Sequence, residues 1–311
     1  IDQTGDRIFA SVFHSISALC NAGFATTSDG LRSVRFHWTS HVVIAGLIVV
    51  GGIGLPVYAN FASIIRWRLL SRRQRKSAPP RLSLHSKIVI LATISLYLVG
   101  VVGLSAGAVL DRGGNLWQAL LDGHFMSITA RTAGFDTVAP VSIDPLGRLT
   151  LMVMMFIGGS PSSAAGGVKT VALVVLLLVA FRAAQGRDST TIFKRQIPEE
   201  IIRKAAALFV LHLAVIGATL ATLLVTESGE GGVGALPGGF ERLLFESVSA
   251  CSTVGLSMDA TMGITDAGKW ALICGMFIGR VGSLAFLVAL VGLALKRRPR
   301  YDYATEAVTM S

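Results

Sequence analysis

The sequence predicts an all-α membrane protein built from repeated units. Of its 311 residues, 52% are hydrophobic and 15% are charged, and the mean hydropathy is +0.65. This leaves too little polar surface to cover a water-soluble globule of this size. Several apolar stretches also approach the roughly 20 residues that cross a bilayer. Finally, one short pattern recurs three times along the chain, which is typical of repeat architectures.

Four apolar stretches are long enough to be membrane crossings, and a fifth is interrupted by glycines and a proline. The four are Thr39 to Ile65, Ile88 to Leu110, Ile201 to Val225 and Trp270 to Leu295, and the interrupted one is Leu149 to Phe181. The chain opens on a polar run with no cleavable signal peptide. We therefore expect that its start is not the start of the natural protein.

The basic residues are concentrated in segments between or after the crossings. The segments Arg66 to Lys87, Arg182 to Lys204 and the tail from Lys296 hold 18 of the 28 Lys and Arg residues. The positive-inside rule places all three on the cytoplasmic side. This pattern predicts a multi-pass membrane protein in contact with the lipid bilayer. The net charge of +10 could suggest nucleic acid as a partner, but the positions of the basic residues argue against it.

Each repeat is a short amphipathic stretch that ends in a glycine turn and is followed by an apolar segment. The stretches are Phe13 to Phe24, Phe125 to Phe135 and Phe245 to Leu256, and their central glycines are Gly23, Gly134 and Gly255. Each allows about three turns of helix, which is too short to span a bilayer, so it must enter and leave from one face.

A helix that stops halfway across a membrane leaves its last carbonyl groups without helical partners. The helix C-terminus carries partial negative charge, and a glycine can turn carbonyl groups inward. A ring of such carbonyls can replace the hydration shell of a monovalent cation. A single copy would be interpreted as an ordinary glycine cap on a short buried helix. Three equivalent copies favour a cation pore.

The segment after each turn also contains a glycine-rich break, which begins at Gly51, Gly158 and Gly279. The middle break is the longest, GGSPSSAAGGVK from Gly158 to Lys169. Each glycine costs a helix roughly 1 kcal/mol and proline roughly 3 kcal/mol relative to alanine, so this stretch is predicted to be a loop inside the membrane. Such a loop must line a cavity or pack in protein, which places it beneath the glycine turns on the pore axis.

Arg280 is a charge deep inside the last predicted crossing, and such a charge is a functional candidate. We hypothesise that it forms a gate with the loop. The alternative is a structural arginine that ties two helices together. The predicted gate residues are Gly158, Gly159, Ser160, Pro161, Gly166, Gly167, Lys169 and Arg280.

The turns CNAGFAT, ARTAGFDT and CSTVGLS, with the segments FIGGSPSSAAGGVKT and FIGRVGSL, resemble those of the bacterial TrkH and KtrB potassium-translocating subunits of the Trk/Ktr/HKT superfamily. The resemblance implies helix–pore loop–helix units around a pseudo-fourfold, potassium-channel-like pore. It divides the chain into a second unit lacking its first helix (1–70), a third unit (71–181), and a fourth unit with a cytoplasmic tail (182–311). The implied selectivity filter, holding K⁺ at its carbonyls, is Asn21, Ala22, Gly23, Phe24, Thr132, Ala133, Gly134, Phe135, Thr253, Val254, Gly255 and Leu256.

The resemblance further implies a potassium uptake subunit of the bacterial plasma membrane that forms a homodimer on cytoplasmic RCK-type regulatory subunits. A nucleotide would bind only those partners, since no glycine-rich motif here follows a strand and opens a helix. The family's first unit is expected to be missing from this chain. Alternatives are a sodium-permeable or cation-coupled member of the superfamily, and a secondary transporter with broken helices. An intramembrane hydrolase using His14, His212 and Ser160 to Ser163 lacks supporting spacing, so no enzyme is predicted.

Overall fold

The computed structural model describes residues 3–27, 29–70, 80–112, 115–186, 191–193, 195–229 and 232–282. Helices dominate these ranges, and one two-stranded antiparallel pair, β1 (Thr191–Ile192) and β2 (Arg195–Gln196), accompanies them. The α-helices are α1 (Gln3–Leu19), α2 (Ala45–Ile53), α3 (Leu55–Leu69), α4 (Leu84–Arg112), α5 (Leu116–Thr129), α6 (Pro145–Ile157), α7 (Thr170–Ala184), α8 (Glu199–Thr226), α9 (Gly239–Cys251) and α10 (Asp266–Val281). The all-α prediction is confirmed.

Helices α4 and α8 have 29 and 28 residues and are apolar enough to cross a membrane. They coincide with the predicted crossings that begin at Ile88 and Ile201. Each precedes one of the short helices that end in a glycine turn, α5 and α9. The short helix of the first repeat, α1, begins at Gln3, well before the predicted amphipathic stretch that starts at Phe13.

The stretch from Thr39 to Ile65, in which the sequence predicts a glycine-rich break from Gly51, consists of two helices that meet at 96°. The bend lies at Gly54, whose φ of 94° is unfavourable for residues with a side chain. Pro56 lies at the start of α3, where its missing N–H and fixed φ are tolerated. Glycine and proline together end α2 and redirect the chain.

The crossing from Leu149 to Phe181 is interrupted as predicted. Helix α6 ends at Ile157 and α7 begins at Thr170, so residues 158–169 form a loop between them. In the last repeat α10 ends at Val281 and is followed by Gly282, which also has a φ of 94°. The rest of that predicted crossing, from 283 to Leu295, lies outside the described residues.

The short helices pack between the longer ones. Helix α5 contacts α4, α9 contacts both α8 and α10, and α1 contacts α2. Small residues allow close approach, since Gly100 and Gly103 of α4 lie against Ser127 of α5 and Thr150 of α6. One buried cluster includes an apolar residue from each repeat, Ala18, Ala133 and Val254. The core therefore surrounds the region where the glycine turns meet.

Candidate functional site

The three glycine turns share one backbone geometry. In each, the central glycine and the residue two positions before it both have positive φ. The angles are 48° at Asn21 and 72° at Gly23, 75° at Thr132 and 82° at Gly134, and 54° at Thr253 and 95° at Gly255. Residues with a side chain rarely adopt such values. The turns are thus three copies of the same strained structure, which indicates that the fold requires this geometry.

A hydroxyl group at the end of each short helix holds the turn that follows. Two of these hydroxyls donate to a carbonyl and the third accepts from a backbone N–H. The bonds are Ser17 Oγ to Phe24 O at 2.9 Å, Thr129 Oγ1 to Phe135 O at 2.6 Å, and Gly255 N to Ser249 Oγ at 3.2 Å. The three hydroxyls occupy equivalent positions in the repeats. Each turn is therefore held against its own helix by a local hydrogen bond.

The three turns lie side by side. A methyl group added to Gly23 would lie 2.5 Å from the carbonyl oxygen of Ala133 in the next turn. One added to Gly134 would overlap the carbonyl oxygen of Val254, and one added to Gly255 would lie 3.7 Å from the Cα atom of Gly134. The structure thus brings together backbone oxygens and glycines from three distant parts of the chain.

The loop of residues 158–169 contacts the turns of the second and third repeats. Gly166 N–H donates to Thr132 Oγ1 at 3.1 Å. A side chain on Gly166 would meet Thr253 Oγ1 and the carbonyl oxygen of Ser252. Among the described residues, Thr253 Oγ1 is a buried oxygen with no hydrogen-bond partner. Gly166 therefore lies directly against the start of two turns.

The same loop is bonded to the helix break of the first repeat. Ser160 N–H donates to Gly52 O at 3.2 Å, and Ala164 N–H donates to Gly51 O at 3.3 Å. Beyond the bend, Leu55 N–H donates to Ser162 O at 3.1 Å. Because it also contacts the turns of the other two repeats, the loop connects all three repeats.

Three cationic side chains donate to carbonyl oxygens of this loop. Lys169 Nζ reaches Ala165 O at 2.6 Å, and Arg280 Nη1 reaches Ala164 O at 2.9 Å. Arg131 Nε donates to Gly158 O at 3.2 Å. The sequence associated Arg280 with the loop, and the structure shows the contact. These bonds hold the loop and place positive charge beside it.

Arg131 lies next to the middle turn, where its side chain could bond to carbonyl groups of that turn or face external water. It instead donates to the carbonyl oxygen of Gly158, the first residue of the loop. A local pattern could not show this contact, because its partner lies 27 residues away.

A cavity of about 260 Å³ is lined by the loop, including Lys169, and by Arg280 of α10. His212 of α8 also lines it and is bonded to Ser252 Oγ through Nε2 at 3.2 Å. Ser163 Oγ donates to Ser160 O. Ser160 Oγ lies 3.5 Å from Thr170 Oγ1 at the start of α7. Among the described residues, neither of these two serines is hydrogen-bonded to a histidine.

A comparison with known families decides the class of this protein. The sequence profile of the family TrkH, described as cation transport protein, matches residues 1–294. The chain belongs to the TrkH family. Its members are membrane cation transporters, so this TrkH-family chain is a multi-pass membrane protein, and nothing indicates a catalytic activity.

Several relatives match most of this chain. The potassium/sodium uptake protein NtpJ of Enterococcus hirae is 31% identical, over 97% of the chain and 64% of NtpJ. The Ktr system potassium uptake protein B of Bacillus subtilis is 33% identical, over 90% of the chain and 59% of the relative. The same-named protein of Vibrio alginolyticus is 32% identical, over 92% and 60%.

A solved structure, the potassium transporter TrkH from Vibrio parahaemolyticus, has the same fold. It superposes with a TM-score of 0.68 over 91% of this chain and 58% of that one, at 18% identity. The TrkH-family chain thus spans about three-fifths of the length of the relatives and structure that it matches.

Proposed function

We propose that this chain forms most of the pore of a potassium uptake subunit. The units are residues 1–70, 71–181 and 182–311, each contributing one glycine turn to a filter in which backbone carbonyls replace the water around K⁺. The observation that carries the proposal is the adjacency of Gly23, Gly134 and Gly255 with carbonyl oxygens between them. The names of the Ktr relatives support potassium as the transported ion.

The proposal predicts that the protein, expressed from its complete gene, restores growth at low potassium to a strain that lacks its own potassium transporters. Uptake of K⁺ and Na⁺ by the same cells is then measured in parallel. Potassium-selective uptake supports the proposal, in which backbone carbonyls replace the hydration shell of K⁺. Sodium uptake of equal size would favour the second candidate, a sodium-permeable member, which the name of NtpJ supports. Uptake of neither cation would overturn both.

The loop from Gly158 to Lys169 is proposed as the gate beneath this filter. Its hydrogen bonds to Thr132, Gly51 and Gly52 connect it both to the filter and to the first repeat. It also lies beside positive side chains, which oppose the passage of a cation. Opening would require the loop to leave Arg280, whose bond to Ala164 O is its contact with the last helix.

Replacement of Arg280 by alanine is expected to raise the rate of potassium uptake several-fold. The substitution removes both the bond that holds the loop and a positive charge beside the ion path. Arg280→Lys keeps the charge but loses the forked donor, so an intermediate rate is expected. Initial rates of potassium uptake, normalised to the protein in the membrane, check this. Equal rates in all three proteins would refute the gate.

The assembly is proposed to be a homodimer with cytoplasmic RCK-type subunits that carry the regulatory nucleotide. Support comes from the names of the Ktr relatives, which describe them as members of a system. The basic segments around 66–87 and 182–204 would face those partners. Potassium uptake that responds to adenine nucleotides only when the partner gene is present would support this assembly.

A further inference from the structure

Two of the short helices carry a polar side chain at the same position, nine residues before the central glycine. In α1 this is His14, and its Nε2 accepts a hydrogen bond from Thr26 N–H at 3.3 Å. In α9 it is Glu246, and its Oε1 accepts from Met258 N–H at 3.0 Å. Both acceptors bind the N–H of the residue twelve positions later, three beyond the glycine. The same contact is therefore made twice between a helix and the chain that leaves the turn.

The histidine is held in the tautomer that this contact needs. His14 Nδ1 lies 2.7 Å from Ala10 O, and a carbonyl oxygen can only accept a hydrogen bond. Nδ1 must therefore carry the hydrogen. In the neutral ring this leaves Nε2 free to accept from Thr26 N–H.

The glutamate makes a larger set of bonds. Its Oε1 accepts from Ser257 Oγ at 2.5 Å as well as from Met258 N–H, and its Oε2 accepts from Thr261 Oγ1 at 2.9 Å. The side chain is only 4% exposed. Burying a carboxyl group is costly unless donors compensate it, and here all of these donors belong to the segment after the turn. Glu246 therefore ties that segment to α9.

The middle repeat has no such side chain. Met126 of α5 occupies the place that aligns with Glu246, and it is buried in the core. The segment after that turn is instead held from the first repeat, because Arg32 Nε donates to Asp136 Oδ2 at 2.8 Å. Leu31 N–H also donates to Asp136 O at 3.2 Å. In each repeat, the chain that leaves the turn is thus held by hydrogen bonds, either from its own short helix or from a neighbouring repeat.

We infer that His14 and Glu246 are positioning residues for ion selectivity, which rests on the proposed function. A carbonyl filter discriminates between alkali cations only while its oxygens keep a defined spacing or field. The hydroxyls of Ser17 and Ser249 hold these turns at Phe24 and at Gly255. His14 and Glu246 hold the chain three residues beyond the central glycine, and neither is one of the proposed filter residues. Their loss should therefore relax selectivity more than it reduces transport.

The test compares potassium and sodium uptake by the complete protein and by Glu246→Ala, Glu246→Gln and His14→Leu. We expect the potassium-to-sodium uptake ratio to fall about tenfold in Glu246→Ala, which loses all three bonds that Glu246 accepts; a tenfold change is about the effect of one bond to a charged group. A smaller fall is expected in Glu246→Gln, which keeps one acceptor oxygen, and in His14→Leu, which loses a single bond to the segment after the turn. The maximal potassium rate per transporter in the membrane should change less than the ratio.

Met126→Leu is the matched control, since it conserves volume at the aligned position without a hydrogen bond, and its ratio should equal that of the unaltered protein. If Glu246→Ala fails to reach the membrane, Glu246→Gln and His14→Leu decide the question. Normal ratios in those variants at normal abundance would overturn the inference. Absence of cation uptake by the unaltered protein would instead overturn the proposed function, so the two failures are distinguishable.

Discussion

Replacement of Gly134 by alanine is expected to abolish potassium selectivity and most potassium uptake. Gly134 has a φ of 82°, and an alanine there costs roughly 1–2 kcal/mol from backbone strain alone. The added methyl group would also overlap the carbonyl oxygen of Val254 in the neighbouring turn. The turn cannot yield without moving the oxygens that are proposed to bind the ion. Uptake of K⁺ and Na⁺ in a transporter-deficient strain measures the effect.

Gly217→Ala in α8 is the control for this experiment. Gly217 lies in a regular helix, and a methyl group added there would meet nothing within 4 Å. Its uptake should match that of the unaltered protein. Normal uptake and normal selectivity in Gly134→Ala, at normal abundance in the membrane, would contradict the assignment of this turn to the filter.

The second large effect is expected for stability and concerns Gly51 of α2. Gly51 packs against the last turn of α1, and a methyl group there would overlap the carbonyl oxygen of Leu19. Gly279 of α10 makes the equivalent contact with the carbonyl oxygen of Cys251. Gly51→Ala must push α1 away from α2, and overpacking of this kind costs about 1–3 kcal/mol or more. We expect a clear fall in the thermal unfolding midpoint of the purified protein in detergent.

Gly46→Ala on the same helix provides an internal comparison. An added methyl group there meets nothing within 4 Å, so the helical preference of alanine over glycine should stabilise the protein by about 0.5–1 kcal/mol. The two substitutions should therefore shift the midpoint in opposite directions. Shifts of the same sign and size would show that the approach of α1 to α2 does not depend on Gly51.

The repeat pattern and the broken crossing were predictable because they are local in sequence. The equal placement of Gly23, Gly134 and Gly255 indicates one structure used three times, and GGSPSSAAGGVK cannot remain helical. The composition and the apolar stretches were enough to predict an all-α membrane fold. The family resemblance added the expectation that the turns converge, and the adjacency of their glycines agrees with that geometry.

What the sequence could not provide are contacts between distant residues. The bond from Arg131 to Gly158 O and the bond from Leu55 N–H to Ser162 O both depend on how separate helices pack around the loop. His14 and Glu246 did leave a signal, since both are polar residues nine positions before a central glycine. The middle repeat is one residue shorter and has Met126 at the aligned place, which hid the pattern until the hydrogen bonds were known.

The most direct test of the central claim is an ion-binding measurement on the complete protein. Crystals grown with rubidium in place of potassium should show anomalous scattering where Gly23, Gly134 and Gly255 meet, with the carbonyl oxygens of Ala133 and Val254 among the ligands. Sodium should not displace this signal at equal concentration. Rubidium density elsewhere in the protein, with none between the three turns, would contradict the account.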